Sequence, residues 1–250
     1  MRLDGRNAVV TAGAKNLGVA IVESFAERGA NVAINYRNSR EEAEALAERL
    51  TASHSRTYIA VKGDLADADE VSRIVQTVES QLGPVGILVN NAGPFSKTPF
   101  TQMEEAEWDE VLDSNLKAAY LFASAVAPAM KREGWGRIIN ISAVSAFVRN
   151  RSIYGLSKAS LHTLTESLAL ELAPEVTVNA IAPGQILESL QEMSGIDPNW
   201  AESVVARTPL GRLVTRREIA ETVAQLCTEP FDMVTGVVLP VDGGLRLPRF

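Results

Sequence analysis

Tyr154 and Lys158 stand four residues apart in Tyr154-Gly-Leu-Ser-Lys158, at the head of an apolar-periodic run of Leu161, Leu164, Leu168 and Leu172. Four residues is just over one helical turn, so a phenol and an ammonium would share one face. A nearby cation favours tyrosinate and lowers a phenol pKa that starts near ~10. Each unit of that shift is worth roughly 1.4 kcal/mol. A phenol tuned in this way exchanges a proton with a substrate oxygen at ordinary pH. The same pair also arises by chance on many helices, so its surroundings decide its meaning.

A second stretch suited to chemistry is Thr11-Ala-Gly-Ala-Lys-Asn-Leu-Gly18, between a β-rich run and a helical one. Small residues there let the backbone approach a pyrophosphate, and the free N–H groups of a helix start favour an anion. Gly13 and Gly18 cover two tight positions, and Asn16 suits a left-handed conformation because asparagine tolerates positive φ. Such turns are also common with no ligand. The second strand ends Asn35-Tyr-Arg-Asn38, without the acid that would hold a ribose 2′-hydroxyl. Arg37, and Lys15 in the turn, can neutralise a 2′-phosphate instead, which favours NADP(H) over NAD.

The elements that must position these residues alternate along the chain. β-rich runs fall at residues 7–11, 31–36, 57–61, 86–90, 137–141, 176–180 and 236–239. Helical patterns lie between them, including a long one over residues 104–131, the Tyr154 helix and one over residues 216–227. Ser39 with Glu42 three residues on reads as a capping box, and Asp67 opens another helix. Apolar strands alternating with helices imply an α/β fold, a doubly wound parallel sheet with helices on both faces, as a single domain over residues 1–250.

Composition is that of an ordinary globular protein: 250 residues, 46% hydrophobic and 22% charged. A net charge of −7 argues against a nucleic-acid or anionic-membrane partner. The first six residues lack the apolar core of a signal peptide. The most apolar run, residues 118–130, carries Ser124 and Pro128 and is too short to span a bilayer, so a soluble cytoplasmic protein is expected. One cysteine, Cys227, excludes an internal disulfide and falls in a core-packing pattern with Ile219, Val223 and Leu226. His54 and His162 have no partners at metal-ligand spacing and read as structural or surface residues.

Further motifs follow in order: Asp64-Leu65 after the third strand, Asn90-Asn-Ala-Gly93 at the end of the fourth, Asn115 on the long helix, and Pro183-Gly184 after the sixth strand. With residues 11–18 and the Tyr-x-x-x-Lys of Tyr154 and Lys158, their joint spacing resembles the short-chain dehydrogenase/reductase family over essentially the whole chain. The resemblance implies hydride transfer from a nicotinamide to a small-molecule carbonyl substrate, with Tyr154 protonating the developing alkoxide. It implies that Lys158 lowers the tyrosine pKa and binds the nicotinamide ribose. Asp64 and Leu65 would meet the adenine, Asn91, Ala92 and Gly93 the adenosine ribose, and Pro183, Gly184 and Ile186 the nicotinamide. The turn would contribute Gly13, Lys15, Asn16, Leu17 and Gly18, and the second strand Tyr36 and Arg37. Asn115 shares an apolar stripe with Trp108, Val111, Leu112 and Ala119. An amide there must be satisfied or it costs on the order of 1–3 kcal/mol. It is either a satisfied core group or, as in the family, the holder of a water that relays protons to the lysine.

Two departures qualify the resemblance. The family's carbonyl-polarising serine falls at Ala143, in Asn140-Ile-Ser-Ala-Val-Ser145, and the loop to Tyr154 is about two residues shorter than usual. Ser142 or Ser145 supplies the hydroxyl, or the site has none; losing one oxyanion donor typically costs about a hundred- to thousand-fold in rate. After Pro183-Gly184 the run is Gln185-Ile-Leu-Glu-Ser189, without the threonine many members place near the nicotinamide amide. The chain looks most like 3-oxoacyl-acyl-carrier-protein reductases, with some pteridine-reductase-like features that include its tail. The leading expectation is an NADPH-dependent reductase of a 3-oxoacyl thioester or related ketone. A pteridine reductase, or an NADP-binding protein that has lost its chemistry, are the alternatives. A substrate loop over about residues 187–212 carries Met193, Trp200, Val204 and Val205, as core or as a lid. Family analogy adds a homo-oligomer, commonly a tetramer, packed through the long helix and the Tyr154 helix.

Overall fold

Seven strands, β1 (Asn7–Val10), β2 (Asn31–Tyr36), β3 (Tyr58–Lys62), β4 (Ile87–Asn90), β5 (Gly136–Ile141), β6 (Val176–Pro183) and β7 (Val238–Val241), form one sheet in the order β3-β2-β1-β4-β5-β6-β7. Every neighbouring pair is parallel. The computed structural model describes residues 2–148, 152–192 and 198–247. Met193, one of the apolar residues expected in the substrate loop, lies outside them.

Both faces are covered, which explains the near-continuous apolar strands. Val10 and Ile139 face a core beneath α1 (Asn16–Glu27), α2 (Arg40–Ser53) and α9 (Arg216–Leu226), filled by Phe25, Leu46 and Val223. Their neighbours Val9 and Ile138 face the opposite core, beneath α3 (Ala68–Leu82), α5 (Ala118–Arg132) and α6 (Ile153–Leu172), with Ile74, Phe122 and Leu168. Connections run to opposite sides from β1, so the C-terminal ends of β1 and β4 splay into the crevice where open α/β sheets bind ligands.

The long helix expected over residues 104–131 is α4 (Glu105–Leu112) and α5 joined by a turn of π-helix, Asp113–Lys117, with Asn115 in it. Single π turns inside helices often mark functional positions. Asp67 caps α3 by accepting from the Asp69 and Glu70 amides, as expected. The capping box expected at Ser39 and Glu42 does not form: the Ser39 side chain makes no cap bond, and the Glu42 carboxylate lies 2.9 Å from Lys15 Nζ instead. A capping box does open α9, between Thr215 and Glu218. The substrate-loop segment includes α7 (Leu187–Glu192) and α8 (Pro198–Ala206), with Val204 buried and Trp200 exposed. Among the described residues no helix is long and apolar enough to cross a membrane.

A buried polar ladder fixes the strands beside the site. Asn90 Nδ2 donates to Asn140 Oδ1 at 2.9 Å, and Asn140 Nδ2 donates to Thr165 Oγ1 at 2.9 Å. The Thr165 hydroxyl donates in turn to Leu161 O at 2.7 Å, so β4, β5 and α6 are held in one register. Removing the middle member leaves buried partners unpaired at about 1–3 kcal/mol. Asn140→Ala is expected to lower the melting temperature by about 4–10 °C, read by circular dichroism; an unchanged midpoint would refute a stabilising role for the ladder.

Candidate functional site

The β1–α1 turn shows how its residue types set backbone shape. Ala12 and Asn16 both adopt positive φ, 48° and 52°. Asn16 does so as expected; Ala12 does so against the preference of any residue with a Cβ. A Cβ on Gly18 would lie 2.2 Å from Ala12 O, and one on Gly13 2.9 Å from Val10 O, so neither position admits a side chain. The glycines are therefore demanded by the close packing of the turn on itself, at the start of a helix whose free amides favour an anion.

Thr11 joins this turn to the end of β4. Its Oγ1 accepts from the Asn91 and Ala92 amides at 2.8 and 3.0 Å, while Asn91 Nδ2 donates to Thr11 O at 3.0 Å. A cleft of about 230 Å³ opens beside them, lined in part by Arg37, Asp64, Leu65, Ala92 and Gly93. The fold thus gathers five residues expected at the adenosine end into one wall. The expected Tyr36 and Leu17 differ: both side chains are buried in the core with α1 and α2. The two expected cations are also not bare. Lys15 pairs with Glu42 at 2.9 Å, and Arg37 lies 3.6 Å from Asp64 and 4.0 Å from Glu110. Exposed ion pairs of this kind are individually weak, worth about 0–1 kcal/mol.

At the other end, Ser152 caps α6 by accepting from Gly155 N at 3.1 Å, which places Tyr154 and Lys158 on its first two turns. Lys158 Nζ donates to Ile141 O, at the end of β5, at 2.8 Å and lies 5.6 Å from the Tyr154 ring centroid. Lys158 is buried, and desolvation pushes its amine down to about 7. Desolvation likewise pushes the Tyr154 phenol up to about 12. Burial thus moves the phenol in the direction opposite to that expected from a neighbouring cation, and the hydrogen bond of that amine goes to a carbonyl. Phe95 stacks edge-on to Tyr154 at 5.0 Å between centroids and is exposed at the mouth.

Asn115 Nδ2 donates to Pro94 O and Val111 O, both at 3.0 Å, while its buried Oδ1 has no protein partner. A Cβ on Gly93, where φ is 145°, would lie 2.0 Å from that oxygen. The glycine of Asn-Asn-Ala-Gly is therefore demanded by the asparagine behind it. Pro183 ends β6, and Gly184 N donates to Val241 O at 3.0 Å; Ile186 pairs with Val214 as an isolated bridge.

Ser142, one of the two serines that could supply the substrate-polarising hydroxyl, is buried with Oγ 2.7 Å from His162 Nε2 and 3.3 Å from the Lys158 carbonyl oxygen. Its hydroxyl thus faces the backbone of α6. Ser145 sits half-buried on a short 3₁₀ turn, Val144–Ala146. His162, set aside as structural or surface, lies one turn beyond Lys158; the four-residue step from Tyr154 to Lys158 continued once more would have found it. Cys227 is buried, with its thiol pushed up to about 12 by desolvation, in the inert core position expected.

Two substitutions test the turn. Gly18→Ala is expected to abolish nicotinamide-dinucleotide binding in a fluorescence titration, since the methyl would overlap Ala12 O. Ala12→Gly relieves left-handed strain of about 1 kcal/mol and should raise the melting temperature by about 2–4 °C. Wild-type affinity in Gly18→Ala would place the dinucleotide elsewhere.

A family model described as "Enoyl-(Acyl carrier protein) reductase" matches residues 11–246. The chain is 37% identical over 245 residues to the 3-oxoacyl-[acyl-carrier-protein] reductase FabG of Staphylococcus aureus, covering 97% of this chain and 98% of that protein. It is 37% identical over 242 residues to nodulation protein G of Azospirillum brasilense, covering 96% and 97% of the two chains. Among solved structures, a gluconate 5-dehydrogenase from Burkholderia cenocepacia in complex with NADP and tartrate superposes with TM-score 0.92 at 31% identity, covering 99% and 98%. A 7α-hydroxysteroid dehydrogenase complexed with NADH and 7-oxo glycochenodeoxycholic acid superposes with TM-score 0.91 at 32% identity, covering 97% and 95%. One of these complexes holds NADP and the other NADH, so likeness at this level does not choose between them. Matched over nearly its full length by relatives of this kind, the chain belongs to the short-chain dehydrogenase/reductase family of oxidoreductases.

Proposed function

We propose that this protein is an NADPH-dependent reductase of a carbonyl compound, a 3-oxoacyl thioester or related ketone, with Tyr154 as proton donor. The observation that carries the reading is the Tyr154 phenol beside the Lys158 amine at the edge of a crevice whose turn and strand ends admit no Cβ at Gly18 or Gly93. Those bare backbones fit a dinucleotide: the start of α1 would hold its pyrophosphate, Asp64 and Leu65 its adenine, and Pro183, Gly184 and Ile186 its nicotinamide. NADPH bound there supplies the hydride.

The chain's own residues supply the rest. Tyr154 gives its phenolic proton to the carbonyl oxygen as negative charge develops there. A phenol pushed up to about 12 stays loaded with that proton at neutral pH, which suits reduction. Lys158 in its charged form stabilises the phenolate left behind. Asn115 presents its unpaired Oδ1 as the acceptor for a proton-relaying water between the helix and the lysine. Ser142 spends its hydroxyl on His162 and Lys158 O, so we assign it support of the lysine rather than contact with substrate. Carbonyl polarisation then falls mainly to Tyr154, because residue 143 is alanine and brings no hydroxyl.

For the cofactor, Arg37 and Lys15 would exchange their carboxylate partners for a 2′-phosphate, a choice supported by the absence of an acid at the end of β2. Self-association belongs to the same reading: a groove of about 580 Å³ between the α4–α5 helix and α6, lined by Leu112, Leu116, Tyr120 and Leu164, would be covered by another copy.

The reaction is tested by following NADPH oxidation with an acetoacetyl thioester. Tyr154→Phe is expected to lose at least about a thousand-fold in kcat, and full retained activity would end the proposal. The amine at about 7 is charged below that pH and neutral above it, so reduction should slow as pH rises through the neutral range, and Lys158→Met should lack this limb. Ala143→Ser is expected to raise kcat by about ten-fold or more by restoring a donor; no gain would show that another hydroxyl already serves. Arg37→Ala should weaken NADPH binding by about ten-fold while leaving NADH nearly unchanged. Equal losses for both cofactors would remove the stated basis for NADP.

A further inference from the structure

Behind the Tyr154–Lys158 pair lies a polar group that the reaction does not use. Ser142 Oγ is within hydrogen-bond reach of both His162 Nε2, at 2.7 Å, and the Lys158 carbonyl oxygen, at 3.3 Å. The Ser142 amide donates to Ile181 O at 2.7 Å, which carries the β5–β6 pairing one residue past the end of β5. One residue back, Ile141 O accepts from Lys158 Nζ at 2.8 Å. Ser142 therefore joins the strand end that orients the lysine to the helix that bears it.

One serine proton has to serve two contacts in this chain. A serine hydroxyl has one proton, and a backbone carbonyl only accepts. With the serine proton on Lys158 O, Ser142 accepts from His162, which then carries hydrogen on Nε2; that tautomer is what the clamp requires. That arrangement holds for the neutral and the protonated imidazole alike. It ends on a carbonyl oxygen and not on Lys158 Nζ, so it cannot pass a proton to the amine. A relay is ruled out by the atoms; a clamp is what remains.

We propose that His162, acting through Ser142, is a positioning residue that holds the end of β5 against the first turns of α6, keeping the Ile141 carbonyl where it orients the Lys158 amine. The inference rests on the reductase reading above. Phe147 packs against the imidazole at 4.9 Å between ring centroids, and the Arg246 guanidinium lies 4.9 Å from the Phe147 ring, closing the clamp from the loop side. Among the described residues, the charged groups that bear on the imidazole are Lys158 and Glu166 on α6, with Arg246 behind Phe147. Desolvation lowers the imidazole pKa, Glu166 raises it and Lys158 lowers it, with a net fall. The imidazole is then neutral at pH 7, and Lys158 has no second cation beside it.

The test compares His162→Leu with His162→Gln, each first shown to be folded by its melting curve. A glutamine amide can donate to Ser142 as the imidazole does, so its kcat with NADPH and an acetoacetyl thioester should stay within about two-fold of wild type, whereas leucine should lower kcat about ten-fold. NADPH affinity should be unchanged in both. Loss of the Ile141 acceptor disfavours the ammonium, so the alkaline limb of kcat should move to lower pH in the leucine variant alone. Independently of turnover, nitrogen NMR of the ligand-free protein should show His162 as the Nε2–H tautomer, with its resonance displaced by Ser142→Ala. An Nδ1–H tautomer, equal impairment by Leu and Gln, or a leucine variant with wild-type kcat and pH profile would each overturn the clamp. Tyr154→Phe run alongside separates the two readings. If it is inactive while His162→Leu behaves as wild type, only the clamp fails. If it is fully active, the reductase reading fails first.

Discussion

An ammonium withdrawn from water either finds an acceptor or gives up its proton, and Lys158, 3% exposed, does part of each. Its amine is drawn to the Ile141 carbonyl and yet pushed down to about 7 by burial. That compromise makes demands on the structure around it. The carbonyl must stand at a strand end, where it is not consumed by the next strand's ladder. The helix must begin early enough for residues 154 and 158 to sit on its first turns, which the Ser152 cap arranges. Strand and helix must keep their relative height, which Asn140 and Thr165 secure from the core side.

The opposite end of the crevice is organised by steric exclusion. Gly18 has no room for a Cβ because the Ala12 carbonyl occupies that space, and Gly93 has none because Asn115 Oδ1 does. These contacts bind three chain segments into one surface: the β1–α1 turn, the end of β4, and the π turn of the long helix. Ala12 and Asn16 stand at left-handed φ, a backbone path that favours glycine, although neither residue is one. Asparagine carries that conformation at little cost, while alanine stores about 1 kcal/mol of strain. The rest of the fold over-determines the turn sufficiently to hold it there.

The sheet and its helices were legible because apolar runs and 3.6-residue periodicities alternate without interruption, and Tyr154, Lys158, Asn115 and the glycines fell where their spacing implied. What escaped was contingent on side-chain partners. Glu42 is three residues from Ser39, but Lys15, distant in sequence, takes its carboxylate. Tyr36 stands at the end of β2, yet strand alternation turns its ring into the core while Arg37 faces the cleft. The π turn has no marker in the sequence, since α4 and α5 share one unbroken periodic pattern. Ser142 looked like a hydroxyl one residue out of register; its actual partner, His162, becomes visible only when β5 and α6 are laid side by side.

Charge at the adenosine end carries a different lesson about selectivity. Arg37 lies between Asp64 and Glu110, and Lys15 lies on Glu42, so the 2′-phosphate of the proposed NADPH would compete with these carboxylates for the same cations. All of these groups are at least a third exposed, where an ion pair is worth about 0–1 kcal/mol. Releasing the carboxylates therefore costs little, while a phosphate carrying nearly two charges and three acceptor oxygens gains charge-assisted hydrogen bonds of greater strength. The freed Asp64 and Glu110 would then oppose the phosphate as like charges unless Arg37 remained between them. A single guanidinium thus sets the sign of the interaction. In the proposed reading, preference would follow from where Arg37 stands rather than from the overall charge of the chain, which is −7 and would by itself repel the ligand.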